Sequence, residues 1–116
     1  MKNRSDVSYL FSNKSPTVFE IYKVILKKLE NIGPVIVEPK KTSIHLKSKS
    51  AFGGVHPRKN WLDFNLVMDR KINDDRIIKV EKVSANRFHN YFRFEKASDI
   101  NGSFMSLLAN SYQLMN

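Results

Sequence analysis

The residues able to do chemistry in this chain are few, and they fall in strand-like stretches. Counting by two through residues 61–68 puts Leu62, Phe64, Leu66 and Met68 on one side and Trp61, Asp63 and Asn65 on the other. The same count through residues 43–47 and 88–95 turns Ser43, His45, Lys47, His89, Tyr91 and Arg93 away from their apolar neighbours. A period of two marks a strand with one buried face, so these groups are expected together on an open sheet face. His45, Asp63 and His89, with Ser43 close by, supply the base, carboxylate and hydroxyl of a hydrolytic constellation. Histidines on strands more often serve as pairing or surface residues, and no catalytic residue is assigned.

Metal and cofactor chemistry find less support. His45, His56 and His89 lack the spacing of a metal centre, and the absence of cysteine removes thiolate ligands and nucleophiles. Gly53-Gly54 is too short for a phosphate loop and no helix follows it. Asp74-Asp75 lies in a charged connection and reads as solvated. No metal and no cofactor is expected.

Binding chemistry is better supplied. The candidate set is Lys41, His45, Lys47, Arg58, Lys59, Trp61, His89, Tyr91 and Arg93. Cations interleaved with aromatic rings on a sheet can stack bases and hold phosphates. Twenty Lys and Arg against eleven Asp and Glu leave a net charge of +9, which biases encounters toward phosphate-bearing partners. Lys40, Lys41, Lys47, Lys49, Arg58 and Lys59 are expected in turns at one end of the sheet, as a phosphate rim or simply as solvated loops. Exposed aromatics equally suit an interface. Nucleic acid, a second copy of the chain in a homodimer or another protein, and a small ligand are the partners in view.

At 116 residues the chain is expected to form one domain over residues 1–116, with 1–14 as a loosely ordered start. Neither a signal peptide nor an apolar run of membrane-spanning length is evident. With no cysteine, a cytoplasmic location and no membrane partner are expected.

The elements that must position these residues follow in order. Val7, Tyr9, Leu10 and Phe11 are expected to pin a short turn or one-turn helix to the body. Ser15 caps a helix with Pro16 at its first position, and Val18, Tyr22, Ile25, Leu29 and Ile32 form its stripe before Gly33-Pro34. Strands are expected at 35–38, 43–47, 52–55, 61–68, 76–83 and 88–95, with residues 56–60 as a basic hairpin loop. Ser98 is expected to cap a last helix with Ile100, Phe104, Leu107, Leu108 and Ser111 inside. The order predicts an α+β fold, a mostly antiparallel sheet of about five strands with the N- and C-terminal helices on one face.

From Ser15 to the end the chain resembles an uncharacterised family of small α+β domains. The matching pieces are Leu29-x-x-x-Gly33-Pro34, Pro39-Lys40-Lys41-Thr42-Ser43-Ile44 and Phe52-x-x-Val55-x-Pro57-x-Lys59-x-Trp61-Leu62. Arg76-Ile77-x-Lys79-Val80, Arg87-Phe88-His89-x-Tyr91-Phe92-Arg93, Ser98-Asp99 and Tyr112 continue them. Members are found alone or fused to predicted restriction-type nucleases. The resemblance implies a fold and a set of positions, and no mechanism.

Overall fold

The computed structural model describes residues 7–116; the first six residues of the expected N-terminal segment lie outside it. Ser8–Leu10 makes a single 3-10 turn, with Val7, Leu10 and Phe11 buried. Helix α1 (Pro16–Leu29) begins as the sequence dictates. Ser15 accepts a hydrogen bond from the Thr17 N–H at 3.3 Å, and proline occupies the first turn, where its missing N–H is no loss. Val18, Ile21, Tyr22, Ile25 and Leu29 are its buried stripe. The helix ends before Ile32, because the chain must pass beneath Tyr112. A Cβ on Gly33 would stand 2.5 Å from the Tyr112 Oη, and that hydroxyl donates to the Pro34 carbonyl at 2.7 Å.

Six strands follow, one on each expected stretch and slightly more than the sheet of about five anticipated: β1 (Ile36–Pro39), β2 (Ile44–Lys47), β3 (Ala51–Pro57), β4 (Leu62–Met68), β5 (Ile77–Ser84) and β6 (Arg87–Phe94). They form one antiparallel sheet in the order β1-β2-β3-β4-β6-β5. Strand β4 is interior, between β3 and β6. Strand β3 runs past the expected stop at Val55 to include His56 and Pro57, paired with Asp63 and Leu62. Proline at the last strand position gives up little of the ladder.

Helix α2 (Gly102–Leu114) starts later than expected. Asp99 accepts from the Glu95 and Lys96 N–H groups at 2.8 and 3.2 Å, which curls Ala97–Asp99 into a 3-10 turn. Ser98 is therefore exposed, and Asn101 caps the helix by accepting from the Phe104 N–H at 3.1 Å. Residues from both helices share one cluster with Ile44, Leu46, Val55, Phe64 and Phe92, all on the same face of the sheet. Phe104 is the hub, its ring 4.8, 5.2 and 5.5 Å from those of Phe94, Phe92 and Phe64. The buried Ser111 hydroxyl is within hydrogen-bond reach of the Phe52 and Val67 carbonyls, tying α2 to two strands.

The only step out of sequence order is β4 to β5, which places β5 outside β6. Its connection is held by two polar devices. Asn90, fully buried, accepts from the Ile72 N–H at 2.9 Å and donates to the Arg70 carbonyl at 3.2 Å. Arg76 grips Asp74 through Nε at 2.9 Å and Nη2 at 2.7 Å and donates to the Asp99 carbonyl. Its guanidinium also lies 5.7 and 5.8 Å from the Phe92 and Phe94 rings. Strand β5 is an edge, with Ile78 and Val83 exposed, irregular register at both ends and Lys79 and Lys82 between.

Adjacent glycines on β3 make a paired prediction. A Cβ at Gly53 would sit 2.7 Å from Cζ of the fully buried Phe64 ring, whereas one at Gly54 meets nothing nearer than 3.5 Å. Gly53→Ala is expected to cost roughly 1–3 kcal/mol, and Gly54→Ala less than about 1 kcal/mol. Urea unfolding of the two variants measures this, and equal losses would contradict the packing described.

Candidate binding site on the open sheet face

One residue from each strand stands in a single row across the face opposite the helices. In spatial order they are Glu38, His45, Gly54, Asn65, Tyr91 and Lys79. Five positions carry long or polar side chains and one carries none, so the row has a gap at Gly54. His56 and His89 flank it from neighbouring positions, and the small Ala51 and Val67 complete the wall. The result is a depression of about 290 Å³. All three histidines of the chain line it.

Its walls touch one another. The Tyr91 ring lies 6.2 Å from that of His56 and 6.5 Å from that of His89. Asn65 Nδ2 is 3.3 Å from His89 Nδ1. Behind Tyr91, Lys79 Nζ sits 4.6 Å over the ring, and the phenol donates to Glu81 at 3.3 Å. Burial, followed by the nearby Arg58 charge, holds the His56 pKa below the usual imidazole value. Burial and then Glu81 push the Tyr91 phenol up. Among the described residues no group of three or more His, Cys, Asp or Glu side chains is placed to hold a metal ion.

Beside the depression lies a second arrangement, in which Asp63, expected on the open face, is buried and paired. This carboxylate is 2% exposed. Arg93 reaches it with Nε at 2.9 Å and Nη2 at 3.1 Å, and Arg58 adds its Nε at 3.1 Å. Two parallel N–H···O bonds from one guanidinium fix its plane, and its Cζ lies 4.6 Å from the centroid of the Trp61 ring. Arg93, raised in pKa by its bond to Asp63, is thus committed to Asp63 on one side and Trp61 on the other. The indole Nε1 is buried with no hydrogen-bond partner among the described residues.

The expected basic rim is only partly assembled. Successive turns of an antiparallel meander fall at alternate ends. Lys40, Lys41, Arg58 and Lys59 therefore share one end, while Lys47 and Lys49 lie at the other. Lys40 and Lys47 pair with Glu38 at 3.4 and 3.3 Å, which lowers the Glu38 pKa. Lys41 and Lys59 are exposed. Ser43, expected to face outward, is buried beside the β1–β2 turn, its carbonyl accepting from the Lys40 N–H at 2.7 Å. His45, Lys47, Trp61, His89, Tyr91 and Arg93 keep the parity expected of them.

His56 and Gly54 are the site residues that the sequence reading missed. Pro57 drew His56 into a loop, although Gly54 and His56 already stood two apart, in step with a strand. The lowered His56 pKa makes acid stability a test. Its folded-state pKa lies below 6.5, so its contribution is complete above about pH 6.5 and is lost as pH falls below that value. Urea midpoints at several pH values should show a shallower acid decline in His56→Gln than in the parent, and parallel declines would count against a desolvated imidazole.

Among the described residues no helix is long and apolar enough to cross a membrane. No curated protein and no solved structure matches the chain. A family profile described as "Domain of unknown function (DUF5655)" matches residues 7–115, which takes in every element from the first 3-10 turn to the end of α2. The chain belongs to this domain-of-unknown-function family, DUF5655.

Proposed function

We propose that the domain is a non-catalytic accessory module that binds single-stranded nucleic acid on its open sheet face. The observation that carries the reading is the convergence of Tyr91, His56 and His89 rings around a depression with room for one unpaired base. Sheet-based single-strand binders use this combination of exposed rings and nearby cations, because every base has a face on which to stack. Bases in a duplex are already stacked and cannot reach the depression. The resemblance to domains fused to predicted restriction-type nucleases adds support for a nucleic-acid setting.

Cations on this face are largely shared with carboxylates: Arg58 and Arg93 with Asp63, Lys47 with Glu38, and Lys79 with Glu81 at 4.0 Å. Each phosphate must compete with one of those partners, so affinity is expected to be modest. Two to four phosphate contacts would give a log–log salt slope of about −1.4 to −2.8 for single strands.

Tyr91→Ala is expected to weaken an oligonucleotide by about 1–3 kcal/mol with little change in salt slope. Charge reversal at exposed Lys41 and Lys59 should weaken all sequences alike and flatten the slope. Fluorescence anisotropy of labelled single strands and duplexes at low salt measures both effects. Absence of saturable single-strand binding, or tighter binding of duplex, would refute the proposal.

A further inference from the structure

The depression has a definite width as well as a volume. His45 and Asn65 are the cross-strand neighbours of Gly54 on either side. Strands lie about 4.8 Å apart, so these two residues stand about 9.6 Å from each other across the glycine. A planar ring in van der Waals contact occupies about 3.5 Å of that gap. One ring stacked between two flanking planes needs about 7 Å and two rings about 10.5 Å, so the gap admits a single ring. The row thus leaves a slot one ring wide, with the Gly54 backbone as its base and Tyr91 beyond Asn65.

The chemistry of the lining narrows the occupant. Among the described residues no lysine, arginine or carboxylate lines the slot; its polar groups are three imidazoles, the Asn65 amide and the Tyr91 phenol. Such groups offer both donors and acceptors without a fixed charge, which suits the edge of a neutral heterocycle better than an anion. Burial also favours the neutral form of His56. Charged groups stand outside the slot: Lys47 and Glu38 beyond His45, Lys79 and Glu81 beyond Tyr91, and Arg58, Arg93 and Asp63 beyond His56.

We infer that the slot over Gly54 is a single-base subsite that takes one unpaired purine or pyrimidine, with its phosphate left outside toward these flanking cations. The inference deepens the nucleic-acid reading and rests on it for the strand. The ring itself can arrive as part of a strand or as a free nucleotide.

Gly54 supplies the test, because a side chain there would stand in the slot, not in the core. The nearest atoms to its Cβ are at 3.5 Å from His56 and 3.6 Å from Asn65, ordinary contact distances. Gly54→Val is expected to fold, which circular dichroism and urea unfolding verify; if it does not, Gly54→Ala takes its place. Imidazole proton resonances are followed by NMR as nucleoside monophosphates, inorganic phosphate and a short single strand are added. The parent should show shifts of the His45, His56 and His89 resonances with a nucleotide and with the strand, but not with phosphate. The Gly54 variant should lose those shifts and bind the strand at least tenfold more weakly.

Nucleotide shifts without any strand binding would keep the slot and remove the strand reading. Strand binding that is equal in parent and variant, with silent imidazoles, would remove the slot and keep the strand reading. Identical shifts with phosphate alone would overturn the base assignment in favour of an anion site.

Discussion

Two successive glycines on β3 let the sheet be filled on one side and hollow on the other. Gly53 faces the helices, and its missing Cβ is the space into which the Phe64 ring fits. Phe64 in turn meets Phe104, and through it the rings of Phe92 and Phe94. Gly54 faces outward, and its missing side chain is the depression. Because side chains alternate along a strand, these opposite demands fall on neighbouring residues. A single glycine could have met only one of them.

Polar groups below the surface sit where regular hydrogen bonding fails. Asn90 satisfies the backbone of the one connection that leaves sequence order. Arg76 joins the end of that connection to the turn before α2, and Ser111 reaches a β3 carbonyl beside the irregularity at Leu46/Lys47. Asp63 differs in holding no backbone in place. Its partners are two arginine side chains, and through Arg93 it sets the position of a guanidinium over Trp61. An unpaired buried carboxylate is costly, so this device fixes its neighbours as firmly as it is fixed.

Local signals carried much of this into the sequence. Helix α1 was legible because cap, proline and stripe agree, and β4 because four apolar residues alternate without interruption. The parity of His45, His89, Tyr91 and Arg93 was legible for the same reason. The start of α2 was not, since it depends on Asp99 reaching back to two amides, and Ser98 satisfies the same local rule that Asn101 does. The depression was hidden too, because it is an absence flanked by residues from four strands, and only the strand order brings them together. Net charge was readable, yet the way Glu38 and Asp63 take up cations on the open face depends on register across the sheet.

The edge formed by β5 has a further consequence. Its outward amides face water, its register breaks near both ends, and Lys79 and Lys82 project from its middle. Bulges and lysines of this kind deter one sheet from adding to another, so exposed Ile78 and Val83 are a weaker invitation to aggregate than their apolar surface suggests. The same irregularity should let β5 amides exchange with solvent earlier than those of the interior strands. Its neighbour β6 carries Tyr91, so one wall of the depression leans on an irregular edge strand, whereas its base rests on strands enclosed on both sides.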